Sequence, residues 1–266
     1  MFFNSAGQTQ IHLALDKAKC LYAQSLSGKY DISNYLLGRS SSPPEVADFV
    51  GALKIKITED GRGRGLYAIR KIQTGELLLV SNAVAVVYDK VFGTNKAPEE
   101  ALVAAVVGEA RKSQRLLQQI YSLDPYPAPG SSVDVPTIDL FKAYGQEEQS
   151  ENLRMDVKRI RDITDRHSFG GARFLQKDQM CCGLWLLPSI INHSCLPNSK
   201  RLEVGSAMFI HATKPIERGE EITISYFDTL IPLTPREAMC ERWGFKCKCR
   251  RCRGFSAINN QLDCNY

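Results

Sequence analysis

Apolar and polar residues alternate in short runs along the first part of the chain, and these runs predict β-strands. Residues 53–57 alternate as a half-buried strand does, and a turn dense in glycine leads from them into a second short strand at residues 66–69. Two runs rich in leucine and valine follow at residues 77–80 and 83–87. The pattern therefore predicts a hairpin and two further strands.

Helical spacing then interrupts the strands. From Pro98 to about Tyr121 the apolar residues follow an amphipathic helix, and Glu99 and Glu100 lie in its first turn, where acidic side chains stabilise the helix dipole. Further helices are predicted at residues 10–37, 138–144, 151–163 and 235–243, strands at 184–187, 207–211 and 222–225, and a proline-rich connector at 124–136. Strands on both sides of a helical insert, without βαβ alternation, predict an α+β fold and weigh against a Rossmann fold.

The composition predicts a soluble, intracellular protein. The 266 residues carry a formal net charge of +5 with basic and acidic residues interspersed, so the charge does not require nucleic acid as a partner. The N-terminus has no basic region followed by an apolar run, and no later stretch reaches the roughly 20 apolar residues of a membrane span. No membrane partner is therefore expected.

Cysteine spacing near the end of the chain indicates a metal site. Four of the nine cysteines fall between Cys240 and Cys252, and Cys247, Cys249 and Cys252 form a C-x-C-x-x-C pattern. Structural zinc takes four ligands in a tetrahedral arrangement, so a fourth must come from elsewhere, with Cys195 and Cys240 as the main candidates. The other candidates are Cys20, Cys181, Cys182 and Cys264. Inert, partly buried thiols are the alternative, but the basic residues around the three cysteines disfavour burial.

A glycine-rich turn is the first candidate for ligand binding. Gly61, Gly63 and Gly65 alternate with arginines, and glycine at this density lets the backbone approach a ligand and expose its amide groups. A flexible hairpin turn is the simpler explanation, because short glycine-rich strings are weak signals and this one does not match a P-loop.

A polar pair and a tyrosine carry further candidate chemistry. Asn192 and His193 precede a turn at Cys195, where they must satisfy buried backbone or contact a ligand. A catalytic Cys195–His193 pair is disfavoured, because residues two apart on an irregular turn rarely share a well-aligned hydrogen bond. Tyr226 ends a strand that follows a Gly-Glu-Glu turn, a position where tyrosine is most often an amphipathic rim residue.

Together these segments resemble the SET-domain lysine methyltransferases, particularly the SET-and-MYND class and the fungal SET proteins that often carry tetratricopeptide repeats upstream. The resemblance covers about residues 53–252. It rests on Gly61-Arg62-Gly63-Arg64-Gly65-Leu66, on Asn192-His193-Ser194-Cys195, on the strand from Gly219 to Tyr226, and on Trp243-Gly244-Phe245 before the three cysteines. The chain departs from the family in two features: it has no MYND finger, and His167 stands where relatives often carry asparagine.

The resemblance implies a SET-type β fold of short strands with a helical insert and a zinc-binding post-SET tail. It also implies S-adenosylmethionine as methyl donor and a lysine-containing protein substrate, such as a histone tail, that reaches the donor through a channel. The implied cofactor-binding residues are Arg62, Gly63, Arg64, Asn192, His193 and Phe245, the implied zinc ligands are Cys195, Cys247, Cys249 and Cys252, and the implied catalytic residue is Tyr226.

The implied organisation has an N-terminal helical extension at residues 1–50, a SET domain at 51–228 with an insert at about 98–165, a post-SET segment at 229–254 and a tail at 255–266. The implied location is nuclear, cytoplasmic or both, and the pattern does not specify the oligomeric state. Two other classes stay open. One is a non-catalytic, zinc-stabilised module that binds proteins, and the other is a nucleic-acid binder built on the basic tail, which the lack of interleaved aromatic residues disfavours.

Overall fold

The computed structural model describes residues 5–90, 98–124, 135–142, 153–172 and 179–254. The α-helices are α1 (Ser5–Ser27), α2 (Ser33–Leu36), α3 (Pro98–Ala110), α4 (Gln114–Tyr121), α5 (Val157–His167) and α6 (Leu233–Arg242). The strands are β1 (Phe49–Val50), β2 (Leu53–Ile57), β3 (Arg64–Ala68), β4 (Leu77–Asn82), β5 (Ala85–Lys90), β6 (Phe169–Ala172), β7 (Gln179–Leu184), β8 (Asn192–His193), β9 (Ser199–Val204), β10 (Ala207–Ala212) and β11 (Thr223–Ile224). Most of the predicted connector at 124–136 and the whole tail at 255–266 lie outside the described residues.

The strands form several small sheets. Four antiparallel strands in the order β1-β4-β10-β9 make one sheet, and β5-β7-β6 make another, also antiparallel. β2 and β3 form the predicted hairpin, in which Leu53 pairs with Ala68 and Ile57 pairs with Arg64. β8 and β11 pair in parallel. Short strands in separate small sheets, with helices between them in sequence, give the predicted α+β architecture.

The helices of the insert differ from the prediction. The single helix expected at residues 98–121 is wrong, because the chain breaks after Ala110 and a new helix begins when the hydroxyl of Ser113 accepts a hydrogen bond from the backbone of Leu116 at 3.2 Å. α5 begins later than predicted, at an N-cap where the carboxylate of Asp156 accepts from the backbone of Arg159 at 3.0 Å. Capping side chains, which periodicity does not reveal, set both boundaries.

The N-terminal helix also ends earlier than predicted. α1 stops at Ser27 because Gly28 takes a positive φ of 62°, and a Cβ at this glycine would lie 2.7 Å from the Phe49 ring. The helix predicted over residues 10–37 is therefore two helices. After the break, Tyr30 packs edge-on against Phe209 of β10, with 5.3 Å between ring centroids.

The sequence pattern missed β1, β6, β8 and β9, and it misplaced one further strand. β9 pairs along its whole length with β10, but its charged residues conceal the alternation that predicts a strand. The strand predicted at 184–187 is wrong, since β7 ends at Leu184 and a short 3-10 helix (Pro188–Ile190) follows. A continuous apolar run does not distinguish a strand from a buried turn.

Two apolar clusters hold these elements together. The larger contains buried residues of β3, β4, β10 and the insert helices, together with Trp185 directly after β7; its members include Leu66, Leu79, Leu102, Leu117, Ile160 and Ile210. The smaller joins the N-terminal extension to the four-stranded sheet through Tyr35, Val46, Val80, Val204, Ala207 and Phe209. Among the described residues, no helix combines the length and the apolar character needed to cross a membrane.

Candidate functional site

Three segments that are far apart in sequence meet at one place. β8 and β11 pair in parallel, so that Asn192 lies beside Thr223 and His193 lies beside Ile224. Just before β11, the backbone N–H of Ile222 donates to the carbonyl of Leu66 at 2.7 Å, which joins this segment to the strand after the glycine turn. The fold thereby brings together the glycine turn, the Asn-His pair and the strand that ends at Tyr226.

Glu221 connects two of these segments through its side chain. Its Oε2 lies 2.6 Å from Nη2 of Arg62, and its Oε1 accepts a hydrogen bond from Nδ2 of Asn192 at 2.8 Å. Asn192 also donates to the backbone carbonyl of Arg64 at 2.8 Å. Sequence reasoning missed Glu221 because a Gly-Glu-Glu turn predicts solvated carboxylates, whereas this side chain is only 16% exposed.

Gly65 and Gly63, both in the turn, differ in how closely other atoms surround them. A Cβ at Gly65 would lie 2.7 Å from Oε1 of Glu221 and 3.0 Å from Nδ2 of Asn192, so a side chain there would disrupt both contacts. Gly63 has a φ of +88°, and a Cβ at this glycine would meet nothing within 4 Å, so its backbone borders open space. The turn therefore presents backbone that a ligand can approach closely.

The arginine side chains of the turn are engaged by the protein. Nε of Arg62 lies 2.6 Å from Oδ2 of Asp60, in addition to its pair with Glu221. Arg64 extends to the end of α4, where its guanidinium donates to the carbonyl of Ser122 and, at 3.3 Å, to that of Asp124. Contacts from the turn to a ligand would consequently use the backbone more than these side chains.

His193 bridges Tyr226 and Cys195. Nδ1 of the ring accepts a hydrogen bond from the backbone N–H of Tyr226 at 3.0 Å, and Nε2 lies 3.2 Å from the sulfur of Cys195. Because Nδ1 is the acceptor, the proton of the neutral ring resides on Nε2. Burial, followed by the charge of Arg236, lowers the pKa of His193 to about 4, so the ring is neutral at physiological pH.

The contact between His193 and Cys195 corrects the sequence analysis. Residues two apart were not expected to share a hydrogen bond here, and that expectation is wrong. Burial, followed by the charge of Cys247, raises the pKa of the Cys195 thiol to about 12, while the imidazole stays neutral. A thiol hydrolase needs the opposite, an activated thiolate beside an imidazolium, so the pair is not of that kind.

Tyr226 is held at both ends. Its backbone donates to His193, and its hydroxyl donates to the carbonyl of Ile191 at 2.7 Å. Burial raises the pKa of the phenol well above its usual value, so the hydroxyl is a neutral donor. The ring is therefore fixed beside the Asn-His pair and is not the exposed rim residue that its position at a strand end alone would suggest.

Aromatic rings surround His193. Phe227 stacks on it with 4.5 Å between centroids, and Trp243 stacks on Phe227 at 5.9 Å. Phe245 lies 5.6 Å from His193 and 6.3 Å from Tyr226, so the segment before the cysteines adjoins the site. Phe227 and Trp243 were not predicted as site residues, since aromatic residues next to a strand end or a helix end carry no specific signal.

A cluster of cysteines that could hold a metal ion lies beside these rings. The sulfurs of Cys247, Cys249 and Cys252 lie within 4.8 Å of one another, and the sulfurs of Cys195 and Cys247 and a ring nitrogen of His193 form a second such group. Cys195 thus shares a group with Cys247, whereas Cys240, which is also buried, belongs to neither group. Thiolate sulfurs in this number suit a structural zinc ion.

A buried cation adjoins the cysteine cluster. Arg236 of α6 is only 1% exposed, and its Nη1 lies 3.9 Å from the sulfur of Cys252. Four thiolates on one divalent ion carry a net charge of about −2, which a nearby guanidinium would partly offset. The C-terminal segment is attached to the rest of the site at another point, where Arg251 donates to the carbonyl of Thr229 at 2.5 Å.

His167 is a partly buried histidine that is influenced by the charge of Arg64. It ends α5, and its Nε2 is buried without a hydrogen-bond partner in the part of the chain that the structure describes. Burial, followed by the charge of Arg64, lowers its pKa to about 4. A buried polar atom without a partner is costly, so a ligand or water molecule that formed a hydrogen bond with this atom would be stabilising.

Comparisons with known proteins identify the family. The family model of the SET domain matches residues 63–227, which is more than half of the chain. A protein of Gibberella zeae described as a methyltransferase is 26% identical over 259 residues, covering 85% of this chain and 34% of that protein. A SET and MYND domain-containing protein of Dictyostelium discoideum is 44% identical over 72 residues, covering 26% of this chain and 21% of that protein.

A histone-lysine N-methyltransferase of Arabidopsis thaliana is 40% identical over 80 residues, covering 27% of this chain and 17% of that protein. The chain belongs to the SET-domain family, and its relatives are methyltransferases and SET and MYND domain-containing proteins. The predicted family and the predicted SET-type α+β fold are both confirmed. The matches span about a third or less of the length of these curated relatives.

Proposed function

We propose that this SET domain is a protein-lysine N-methyltransferase that uses S-adenosylmethionine, with Tyr226 as its catalytic residue. The observation that carries the proposal is the placement of the Tyr226 phenol against the carbonyl of Ile191 at 2.7 Å, beside the Asn-His pair and the glycine turn. A phenol fixed in this way beside backbone that a ligand can approach is suited to orienting two reactants.

The cofactor-binding residues proposed are Arg62, Gly63, Arg64, Asn192, His193 and Phe245. Two features support a polar organic cofactor here. The backbone at Gly63 borders open space, and Nε2 of His167 is a buried polar atom without a partner among the described residues. Nε2 of His167 would form a hydrogen bond with the cofactor. His167 would thereby take the role of the asparagine that relatives often carry at this position.

The proposed metal is zinc, bound by Cys195, Cys247, Cys249 and Cys252. Zinc would have a structural role, because a site with four protein sulfurs leaves no coordination position for a substrate. It would attach the C-terminal segment to the turn that follows His193, and thereby hold Phe245 and Trp243 near Tyr226.

When bound, S-adenosylmethionine supplies an electrophilic methyl group on a cationic sulfur. A lysine amine would accept that methyl group, with the cofactor leaving as a thioether, only when the amine is neutral, although the pKa of lysine in water is about 10.4. The aromatic rings beside Tyr226 would make the surroundings of the amine less polar and so favour its neutral form, and the cationic sulfur would do the same. Tyr226 would orient the amine and the methyl group, so catalysis would rest on proximity and desolvation, without a covalent enzyme intermediate.

The substrate proposed is a lysine-containing protein, with a histone tail as one candidate, and the proposed location is nuclear, cytoplasmic or both. The Arabidopsis relative, described as a histone-lysine N-methyltransferase, supports this substrate class. We assign residues 51–228 to the SET domain, with its insert at about 98–165, and residues 229–254 to the post-SET segment. Direct nucleic-acid binding is not part of the proposal.

Calorimetric titration with S-adenosylmethionine tests the proposal at its first step. We expect saturable binding of one molecule per chain, and binding of similar affinity to Tyr226→Phe, because the phenol would act on the methyl group and not hold the cofactor. Absence of saturable heat from the folded, zinc-loaded chain would instead identify a non-catalytic protein-binding module.

A further inference from the structure

His193 lies between the proposed catalytic residue and a proposed metal ligand. Its Nδ1 accepts from the backbone of Tyr226 at 3.0 Å, and its Nε2 lies 3.2 Å from the sulfur of Cys195. The sulfur of Cys195 lies in turn within 4.8 Å of the sulfur of Cys247. Two short contacts through His193 therefore join Tyr226 to Cys195, whose sulfur lies beside the cysteine cluster.

The ring has little freedom to adopt another arrangement. His193 is 4% exposed and stacks on Phe227, and Tyr226 can offer only a donor, its backbone N–H, to Nδ1. Nδ1 must then be the bare nitrogen, and Nε2 must carry the proton that points at Cys195. The hydrogen-bond partner of Nδ1 thus determines that Nε2 is protonated and acts as a hydrogen-bond donor.

We propose that His193 is a positioning residue that couples metal binding to the placement of Tyr226. This inference rests on the proposed function, since it concerns how Tyr226 is held for methyl transfer. A bound metal ion fixes the Cys195 sulfur in one position, and that sulfur accepts the Nε2 hydrogen bond and so fixes the ring plane. The fixed ring then holds the backbone of Tyr226 through Nδ1.

The side chain of Tyr226 is held by the same segment as its backbone. The hydroxyl of Tyr226 is held by Ile191, which directly precedes the Asn192–His193 strand, so both anchors of the tyrosine lie in the segment that ends in Cys195. Hydrogen bonds to groups around a metal ligand orient that ligand, and losing one commonly weakens metal binding by about 10- to 100-fold. Loss of the hydrogen bond between His193 and Cys195 should therefore be detectable as weaker metal binding.

Two substitutions of His193 distinguish the roles of its two ring nitrogens, because each keeps one hydrogen bond and removes the other. In His193→Asn the amide oxygen stands near the position of Nδ1 and can still accept from Tyr226, but nothing reaches the Cys195 sulfur. In His193→Gln the amide nitrogen reaches the position of Nε2 and can donate to the sulfur, but the acceptor for Tyr226 is lost. Both variants lose the stacking on Phe227, so each is the control of the other for packing.

The first measurement is zinc affinity by competition with a chromophoric chelator. We expect His193→Asn to bind zinc about 10-fold more weakly than the unmodified chain, and His193→Gln to remain within about 3-fold of it. Equal zinc affinity for all three proteins would overturn the proposal.

The second measurement is the backbone amide resonance of Tyr226 in protein labelled with ¹⁵N-tyrosine, recorded as zinc is added. We expect zinc to shift this resonance in the unmodified chain, and to shift it much less in both variants, because each has lost one of the two contacts. An unchanged resonance in the unmodified chain would overturn the proposal even if neither variant folds.

Neither measurement requires the cofactor or turnover, so this inference and the proposed function can fail separately. If the variants behave as expected but calorimetry finds no binding of S-adenosylmethionine, the proposed function fails and the coupling stands. If the chain methylates lysine but zinc leaves the Tyr226 amide unchanged, the coupling fails and the proposed function stands.

Discussion

Arg62 and Glu221 form an ion pair with 2.6 Å between Nη2 and Oε2, although they lie 159 positions apart in the chain. Their side chains are 24% and 16% exposed, so solvent screens the pair less than it screens most surface pairs. The other oxygen of Glu221 binds Asn192. One carboxylate therefore sets the distance between the two segments proposed to bind the cofactor.

Glu221→Gln should weaken cofactor binding without unfolding the domain. The neutral amide keeps the size of the side chain but loses the charge that holds Arg62, and a charge-assisted hydrogen bond contributes about 1.5–3 kcal/mol. We expect affinity for S-adenosylmethionine to fall about 10-fold, measured by calorimetry. Glu217→Gln is the matched control, because its pair with Lys71 is well exposed. Equal losses in the two variants would show that Glu221 has no special role.

Cys247→Ser should destabilise the C-terminal segment in the zinc-loaded protein. Cys247 belongs to both groups of candidate ligands, so its loss affects the cluster more than loss of a peripheral thiol. We expect the bound zinc to drop below one per chain and Tm to fall by about 5 °C or more, given about 2–4 °C per kcal/mol for a chain near this size. Cys20→Ser, on exposed α1, should change neither quantity. Zinc content and Tm unchanged in Cys247→Ser would exclude the proposed site.

Stability should fall with decreasing pH because of His167. Its pKa is about 4 in the folded protein and about 6.5 when unfolded, so between these values the unfolded chain binds more protons and the free energy of unfolding decreases as the pH falls. We expect urea denaturation of the cofactor-free protein to show a loss, from pH 7 to pH 4.5, that is about 2 kcal/mol larger than in His167→Asn. His12→Gln, on exposed α1, serves as control. Parallel pH profiles for the unmodified chain and His167→Asn would show that burial of His167 does not lower its pKa in this way.

The sequence predicted the features that depend on local pattern. The β2–β3 hairpin follows from alternation at residues 53–57 and the glycines that come after it. The Asn192–Cys195 motif and the Cys247–Cys252 spacing, taken with the glycine turn and the strand before Tyr226, were enough to identify the family. Each of these signals lies within a few neighbouring residues.

The features that the sequence did not predict depend on partners far along the chain or on single capping groups. Glu221 was missed because its partners, Arg62 and Asn192, are distant in sequence and only the fold makes them neighbours. The break between α3 and α4 depends on one hydroxyl at Ser113, which apolar periodicity does not record. The contact of His193 with Cys195 depends on the local backbone path after β8, which spacing alone does not fix.

The decisive experiment compares methyl transfer by Tyr226→Phe with methyl transfer by the unmodified chain. Both proteins would be saturated with S-adenosylmethionine and offered histones and a lysine peptide library, and the methyl groups added would be counted by mass spectrometry. We expect transfer to lysine by the unmodified chain and a loss of about 100-fold in the variant, since the loss of the phenol removes the group that aligns amine and methyl. Transfer by Tyr226→Phe at the rate of the unmodified chain would show that Tyr226 is not the catalytic residue.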